Sequence, residues 1–270
     1  MGYRSIISLM PKTAPLDTDA QAFLTAAGIT DPTISGAINT LVVQMKADNI
    51  WAKMKAIYPM VGGTASTHKW NLKDPRDLDA AFRLTFSGGI TQDSNGVNGN
   101  GVNGYANTHL DLRNNFNVTD VGVSYYSRTN NNNAGGHGVY DHLSGLNRMY
   151  SLERFSDGKC YNSIGSDALS ANYNSVNTVG LYTHTRTSTT SLKSYKNGVL
   201  AATNTSLNVG TIPNIDFTFM AINTNTGLFA GFFTDRQYAF MALHEGLSDT
   251  EAANFYTAVQ ALQTSLSRQL

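Results

Sequence analysis

The spacing of apolar residues changes near residue 60 and divides the chain into a helical beginning and a longer strand-rich part. Between residues 17 and 57 apolar side chains recur every three or four positions, which predicts helices. Beyond Tyr58-Pro59 the period falls to two, as in residues 82–86, where Phe, Leu and Phe alternate with Arg and Thr. The pattern therefore predicts one β body, residues 58–270, with a helical segment in front of it.

Two helices with clear boundary signals are expected in residues 17–57. Asp17 is suited to cap a first helix that Gly28 ends, and Asp31-Pro32 opens a second one, because proline at the first helical position needs no backbone N–H. An apolar stripe then continues across a short polar interruption; its members are Ile34, Ile38, Leu41, Val42, Met45, Trp51, Met54 and Ile57. This stripe faces either the core or another subunit.

Residues 1–16 contain two prolines and show no amphipathic period. They predict an extended arm that ties one subunit to another, and a frayed terminus is the alternative. Together with the helical segment, residues 1–57 are expected to attach the β body to a larger assembly.

Many short strands separated by turn residues predict an antiparallel sandwich or barrel. The expected strands are residues 82–86, 107–112, 121–126, 148–155, 177–185, 189–196, 199–204, 216–222 and 236–243. Asn197-Gly198 marks a tight hairpin, since both residues tolerate the positive φ angles of a type I′ turn.

Two stretches, residues 92–104 and 129–138, are so rich in Asn and Gly that they predict long loops, where ligands are usually held.

A final helix is predicted at residues 248–268. Ser248 and Glu251 have the spacing of a capping box in front of it. An apolar stripe follows, made of Ala252, Phe255, Tyr256, Val259, Leu262 and Leu266.

Composition excludes several classes of function. Only 14% of residues are charged, with 19 basic and 19 acidic, so the electrostatic attraction that non-specific nucleic-acid binding needs is missing. No apolar run approaches the roughly 20 residues of a membrane-spanning helix, and the first residues lack a secretory signal, so assembly in a cytoplasm is expected. The single cysteine, Cys160, cannot form an intrachain disulfide and is expected to be a small buried hydrophobe.

Several segments together resemble concanavalin A-like (laminin G-like) sandwich proteins of tailed-bacteriophage virions. These segments are residues 69–77, 82–86, 124–129, 195–198 and 246–251, of which the last two are the most telling. The resemblance covers roughly residues 58–270. It implies a mainly β, antiparallel two-sheet jelly-roll sandwich with an N-terminal helical segment and a C-terminal helix, located in the virion.

The same superfamily includes glucanases, so the carboxylates decide whether catalysis is expected. A retaining glycosidase needs two carboxylates about 5 Å apart, and the sandwich glucanases take them from one strand as Glu-x-Asp-x-Glu. The three glutamates here, Glu153, Glu245 and Glu251, do not have that spacing. Asp77 and Asp79 are the nearest imitation, and they lie among turn residues. We therefore expect no enzyme.

Two kinds of binding site remain as hypotheses. The relatives that the resemblance implies often hold calcium, and Asp93, Asn95 and Asp111 supply hard oxygen ligands for it. His137 and His142 make a loop metal site conceivable, although a solvated loop histidine is the expected case.

Sugar binding needs an aromatic platform beside amides that donate and accept hydrogen bonds. Tyr105, Tyr126, Tyr140, Asn131 and Asn133 lie in or beside the long loops and are the predicted glycan ligands. The alternative is that these tyrosines simply pack across strands.

The sequence thus predicts a non-enzymatic virion structural protein, such as a capsid decoration, head-fibre or tail-associated subunit. It is expected to be a homo-oligomer that contacts other virion proteins through residues 1–57, without a nucleic-acid or membrane partner. A receptor-binding lectin that recognises a host surface glycan is the alternative.

Overall fold

The computed structural model describes residues 15–132, 135–140, 147–166, 170–207, 210–228 and 232–270. The helices are α1 (Thr18–Ala27), α2 (Pro32–Ala47), α3 (Ala65–His68), α4 (Leu112–Asn115) and α5 (Asp249–Ser265). The first strands are β1 (Met54–Tyr58), β2 (Thr85–Ser87), β3 (Thr91–Asp93), β4 (Gly96–Asn98), β5 (Tyr105–Asp111), β6 (Val121–Ser127), β7 (Gly136–Tyr140) and β8 (Arg148–Leu152). The remaining strands are β9 (Lys159–Ile164), β10 (Ser170–Asn174), β11 (Gly180–Arg186), β12 (Leu192–Lys196), β13 (Val199–Asn204), β14 (Asp216–Phe219), β15 (Ile222–Thr224), β16 (Gly227–Leu228) and β17 (Gln237–His244).

The strands form two sheets that face each other. One sheet, called the covered sheet, has the order β13-β12-β11-β6-β17-β4-β3, with β1 beside β17. The other, called the open sheet, has the order β10-β9-β8-β7-β14-β5-β2, with β15 beside β7 and β16 beside β15. Apart from the parallel β7–β15 pair, the strand pairs of the described residues are antiparallel. The two-sheet antiparallel sandwich with helices near both ends of the chain is confirmed.

Two apolar cores hold the layers together. The first lies between the sheets and includes Val123 from the covered sheet and Leu110 and Phe217 from the open sheet. The second lies between the covered sheet and the helices α1, α2 and α5, where the rings of Phe240 and Phe255 meet at 5.8 Å. Because α2 buries its stripe in this second core, the core-facing interpretation of that stripe is confirmed.

The predicted helix boundaries follow from local chemistry. Asp17 and Asp31 cap α1 and α2 with their side chains, and Gly28 ends α1 with φ of 66°. Ser248 and Glu251 form the predicted capping box of α5. Of the helices in the described part of the chain, none combines the length and apolar character that a membrane span requires.

The predicted helical stripe is wrong for residues 54–57, which form β1. Asn49 takes a positive φ of 58° and ends the helical course, and a single 3-10 turn, Trp51–Lys53, leads into the strand. β1 pairs with β17 and buries residues on both sides: Tyr58 faces the core between the sheets and Ile57 faces the helices. A strand buried on both faces reads as a continuous apolar run, which periodicity cannot separate from a helix.

Three other local predictions are wrong. The strand expected at residues 82–86 is Thr85–Ser87, because Phe82 adopts a left-handed conformation with φ of 60°. Residues 129–138 are only partly a loop, since β7 begins at Gly136 and His137 is fully buried instead of solvated. Likewise, residues 92–104 are only partly a loop, since the hairpin of β3 and β4, Thr91–Asn98, overlaps them.

Candidate functional site

The outer face of the open sheet carries a row of partly exposed polar and aromatic side chains. Along β5, Tyr105, Asn107, His109 and Asp111 are partly exposed, whereas the residues between them are buried. Side chains two apart on a strand lie about 6.6–6.8 Å from each other. This spacing applies to Tyr105 and Asn107, whereas beyond them the pairing of β5 with β14 is irregular and His109 has a positive φ of 54°. Thr85 of β2 lies beside Asn107 and extends the row sideways.

Hydrogen bonds fix the polar members of this row. Asn107 Nδ2 donates to Asp216 Oδ2 over 3.3 Å, and His109 Nε2 lies 2.7 Å from Thr85 Oγ1. Each of these groups still presents donors or acceptors at a partly exposed position. Together with the ring of Tyr105, the row offers what a sugar needs: an aromatic surface for C–H groups and amide, imidazole and hydroxyl groups for its hydroxyls.

A charged rim borders the row. Arg83 NH1 lies 2.7 Å from Asp77 Oδ1, and Arg83 Nε lies 2.9 Å from Asp79 Oδ1. Lys69 Nζ also binds Asp77 at 2.7 Å, and these contacts lower the pKa of Asp77. Both aspartates are thus neutralised by cations at an exposed surface.

Two further tyrosines lie on the same face toward β9. Tyr150 of β8 pairs with Gly138 on one side and Ser163 on the other, and it is partly exposed. Tyr161 of β9 packs edge-on against Phe155 with ring centroids 5.9 Å apart. The face therefore carries aromatic side chains at both ends.

The residues predicted to bind a glycan do not lie together in the structure. Tyr105 lies on the exposed row, but Tyr126 is 1% exposed beneath α5, where its hydroxyl donates to Gln260 Oε1 over 3.3 Å. Tyr126 is thus wrong as a sugar platform, because β6 is buried on both of its faces. Asn131 donates to Asp235 Oδ1 over 2.7 Å, away from the row. Asn133 and the side chain of Tyr140 lie outside the described residues, as does His142.

The predicted calcium ligands are not brought together. Asp93 lies on β3 of the covered sheet, and its Oδ1 accepts from the N–H of Asn95 over 2.7 Å and from Gln237 Nε2 over 3.0 Å. Asp111 ends β5 of the open sheet and caps α4. Across the described ranges, no group of three or more His, Cys, Asp or Glu side chains is arranged to hold a metal ion.

A buried polar cluster between the sheets is the feature that sequence reasoning missed. Glu153 and His137 are both 0% exposed, and His137 Nε2 lies 3.2 Å from Glu153 Oε1. Arg236 NH1 approaches Glu153 Oε2 at 3.3 Å, and the hydroxyl of Tyr238 donates to Glu153 Oε1. The backbone N–H of Met220 donates to His137 Nδ1 over 2.9 Å, so in the neutral ring the proton sits on Nε2 and points to the carboxylate.

The charge of Glu153 is stabilised by these partners. Burial alone would raise its pKa, but Arg236, His137 and Tyr238 outweigh burial and lower the pKa to about 2. A carboxylate whose oxygens are occupied by internal donors, with no exposed surface, is a structural ion. The sequence offered one indication that Glu153 is buried. In the run predicted as a strand, residues 148–155, Glu153 is two positions after Ser151 and four after Met149, and all three side chains are buried.

A second chain of buried polar groups continues from this cluster. The Tyr125 hydroxyl bonds Ser151 and lies 3.3 Å from His184 Nε2, and His184 Nδ1 lies 3.0 Å from Ser194 Oγ. Burial lowers the pKa of His184 to about 3, so the ring is neutral at physiological pH. Cys160 is buried nearby, as predicted, and burial raises its pKa to about 12.

Lys196 lies at the edge of this interior. Its Nζ is 3.6 Å from the centroid of the Tyr182 ring and has no hydrogen-bond partner among the described residues. Burial is the main cause that lowers the pKa of Lys196 to about 7. Burial therefore disfavours the charged form of the Lys196 amine, and the cation–π contact with the ring of Tyr182 offsets part of this cost.

Comparison with known proteins supports the fold. No protein-family model and no curated protein sequence matches the chain. Among solved structures, one of botulinum neurotoxin type C, whose ability to enter cells depends on interaction with two ganglioside molecules, aligns with a TM-score of 0.54 at 11% identity. That alignment covers 79% of this chain and 53% of the neurotoxin chain.

Two other structures are similar. A mutant of Trypanosoma rangeli sialidase that displays trans-sialidase activity aligns with a TM-score of 0.53 at 11% identity, over 83% of this chain and 39% of the sialidase chain. Domain 4 of an extracellular arabinanase from Geobacillus stearothermophilus, in complex with arabinotriose, aligns with a TM-score of 0.47 at 14% identity, over 75% of this chain and 98% of that domain. At 11% identity, the neurotoxin and sialidase alignments show a shared β-sandwich fold.

Proposed function

We propose that this chain is a non-enzymatic, lectin-like module that binds a host surface glycan on the outer face of its open sheet. The observation that carries the proposal is the partly exposed row on β5, with Tyr105 at one end and Asn107 and His109 beside it. A partly exposed face with an aromatic ring and mixed hydrogen-bond donors and acceptors suits an extended sugar chain. The ganglioside interaction of the neurotoxin neighbour, on a similar fold, is consistent with such a ligand.

The non-enzymatic part of the proposal rests on the state of the carboxylates. Glu153 is enclosed by its internal partners, and Asp77 and Asp79 are bound to Arg83 at the rim. None of these three is a free acid beside a free base, which glycoside hydrolysis requires. Incubation with host cell-wall or capsular glycans should release no reducing sugar above the background of a heat-denatured sample.

A glycan array tests the binding. We expect the wild-type chain to bind a limited set of glycans, and Tyr105→Ala with Asn107→Ala to lose that signal. Asn95→Ala, in the β3–β4 hairpin of the covered sheet, is the matched control and should bind like the wild type. An array without hits, or equal binding by the Tyr105 variant, would reject the open face as the binding surface.

We further propose that the module belongs to a tailed-bacteriophage virion, as a decoration, head-fibre or tail-associated subunit. Support comes from the sequence resemblance over residues 58–270 and from the low content of charged residues, 14%. The inner sides of α1 and α2 are buried in the module's own core. Attachment to other virion proteins would therefore use residues 1–16 and the exposed sides of these helices.

Mass spectrometry of gradient-purified particles, combined with cross-linking, tests this assignment. We expect the chain in intact particles with cross-links from residues 1–47 to another virion protein. Its absence from particles, or cross-links confined to the β body, would contradict the proposal.

A further inference from the structure

A pocket of about 340 Å³ lies at the other side of the molecule, in the helical layer. It is formed where the beginning of α2 and the end of α5 approach the β3–β4 hairpin and the segment that follows β1. Its lining is Asp31, Thr33, Ile34, Val61, Gly62, Ser94, Ser265, Leu266, Ser267 and Arg268. The exposed row of β5 contributes no residue to it.

The polar part of this lining consists mainly of hydroxyl groups. Thr33 comes from α2, Ser94 from the β3–β4 hairpin, and Ser265 and Ser267 from the end of α5. A hydroxyl both donates and accepts a hydrogen bond, as do the hydroxyls of a sugar or polyol. Four hydroxyl-bearing residues from three elements line the pocket, which suits a ligand that is itself made of hydroxyls.

The apolar part of the lining suits the C–H groups of the same kind of ligand. Ile34, Val61 and Leu266 form this wall. The volume is at the lower end of the range of small-molecule pockets. It accommodates a single sugar unit rather than a long chain.

The charges argue against an anionic ligand. The carboxylate of Asp31 accepts from the N–H of Ile34 over 2.9 Å and already occupies the positive end of α2. Arg268 is 1% exposed and its guanidinium is used internally: NH1 donates to the carbonyl of Met60 over 2.7 Å and Nε donates to Gln263 Oε1 over 3.0 Å. Its NH2 donates to the carbonyls of Pro59 and Ala239, each over 3.1 Å. The negative charge of Asp31 would repel a phosphate or carboxylate group. The guanidinium of Arg268 cannot bind such a group, because its N–H groups already donate to internal acceptors.

A buried histidine, His68, is hydrogen-bonded to the residue that follows the lining residue Gly62. The N–H of Gly63, next to the lining residue Gly62, donates to His68 Nε2 over 3.1 Å, which leaves the ring proton on Nδ1. His68 is 1% exposed, and Nδ1 has no partner among the described residues. Burial lowers the pKa of His68 to about 4, so the ring adds a neutral group and no positive charge.

We propose that this pocket binds a small neutral polyol, of the size of one monosaccharide, independently of the open face. The hydroxyls of Thr33, Ser94, Ser265 and Ser267 bind the ligand hydroxyls, and Ile34, Val61 and Leu266 contact its C–H groups. Asp31 selects against anions. The ligand thus bridges α2 to the end of α5.

Amide chemical-shift titration of the full chain with D-glucose, D-galactose and D-mannose, up to about 50 mM, tests the proposal. We expect saturable shifts at the amides of Thr33, Gly62, Ser94 and Ser267 with at least one of these sugars. Glucose 6-phosphate, the charged probe, should bind at least about tenfold more weakly than glucose, because of Asp31. No saturable shift at these amides with any neutral sugar, or tighter binding of the phosphate, would overturn the proposal.

Variants separate this pocket from the open face. Thr33→Val with Ser265→Ala should weaken binding by about tenfold, since each substitution removes a hydrogen-bonding group at an exposed position. Thr40→Val, an exposed threonine of the same helix outside the pocket, is the matched control and should leave the affinity unchanged. Tyr105→Ala should also leave it unchanged. If Tyr105→Ala abolished these shifts while Thr33→Val with Ser265→Ala did not, the sugar would be bound by the open face alone and the proposal would be overturned.

Discussion

His137 Nε2 lies 3.2 Å from Glu153 Oε1, and both side chains are completely buried between the two sheets. Two tyrosines pack against His137. The centroid of its ring lies 4.2 Å from that of the Tyr125 ring and 4.7 Å from that of the Tyr238 ring. Arg236 completes the charge balance on the other carboxylate oxygen. A buried polar cluster thus links strands of the two sheets inside the sandwich.

Removing the charge of Glu153 should be strongly destabilising. In Glu153→Gln the buried guanidinium of Arg236 keeps its charge but loses its counter-ion, which costs about 3–5 kcal/mol in comparable buried pairs. The free energy of unfolding in urea measures the loss. Glu245→Gln, whose carboxylate is 36% exposed and lies 3.5 Å from Lys55 Nζ, is the control and should change stability by less than about 1 kcal/mol. Equal effects of the two substitutions would contradict the structural role of Glu153.

Stability should fall on acidification below pH 6.5. Burial lowers the pKa of His184 to about 3 and of His244 to about 4, so in that range the unfolded chain binds protons that the folded chain does not. Each histidine then contributes a slope of about 1.4 kcal/mol per pH unit, with stability rising as pH rises. Glu153 adds a loss in the same direction between pH 4.5 and about 2, because its folded pKa is depressed.

Urea unfolding at about pH 7, 5.5 and 4 measures this dependence. His184→Gln removes one titrating group and should reduce the slope of stability against pH by about 1.4 kcal/mol per pH unit. A slope that His184→Gln leaves unchanged would show that this ring is not neutral in the folded chain.

Replacing Lys196 by an apolar residue should stabilise the protein near neutral pH. Burial lowers the pKa of Lys196 to about 7, whereas the unfolded chain titrates near 10.5, so between these values stability falls as pH falls. Lys196→Met removes that cost and should raise the free energy of unfolding at pH 7 by about 1–3 kcal/mol, with the gain disappearing near pH 10.5. Lys193→Met, which removes a surface contact to Asp249, should change stability by less than about 1 kcal/mol. A loss of stability in Lys196→Met that is the same at pH 7 and pH 10 would contradict this explanation.

Two glycines should respond to alanine in opposite directions. Gly198 of the β12–β13 hairpin has φ of 73°, and a Cβ there would lie 2.9 Å from Tyr256 Cβ and 3.2 Å from Ala253 Cα of α5. Gly198→Ala should therefore cost about 1–3 kcal/mol through strain and contact with the helix. Gly36→Ala, exposed in α2 with open space around it, should stabilise by about 0.5–1 kcal/mol. Thermal unfolding of both variants checks the signs, and a neutral Gly198→Ala would show that the hairpin can move away from α5.

The sequence predicted the features that depend on neighbouring residues. Asp17, Asp31 and Ser248 cap helices through contacts within four residues, and Asn197-Gly198 forms the expected turn with φ of 51° and 73°. These contacts join residues that are close in the sequence, so the sequence alone is enough to predict them.

The features that the sequence did not predict depend on distant partners. β1 is a strand only because β17 pairs with it, about 185 residues later in the chain. His137 is buried only because Glu153, Met220 and Tyr238 surround it, and its Gly-rich surroundings suggested a loop. For the candidate site, alternation along β5 places Tyr105 on a surface, whereas β6 is covered on both sides and buries Tyr126.

Hydrogen–deuterium exchange of the chain with and without the glycan that binds best on an array tests the central claim most directly. We expect slower exchange in β2 and β5, residues 85–87 and 105–111, with no change in α1 or α2. Protection confined to the helical layer, or no protection at a saturating glycan concentration, would contradict a lectin-like role for the open face.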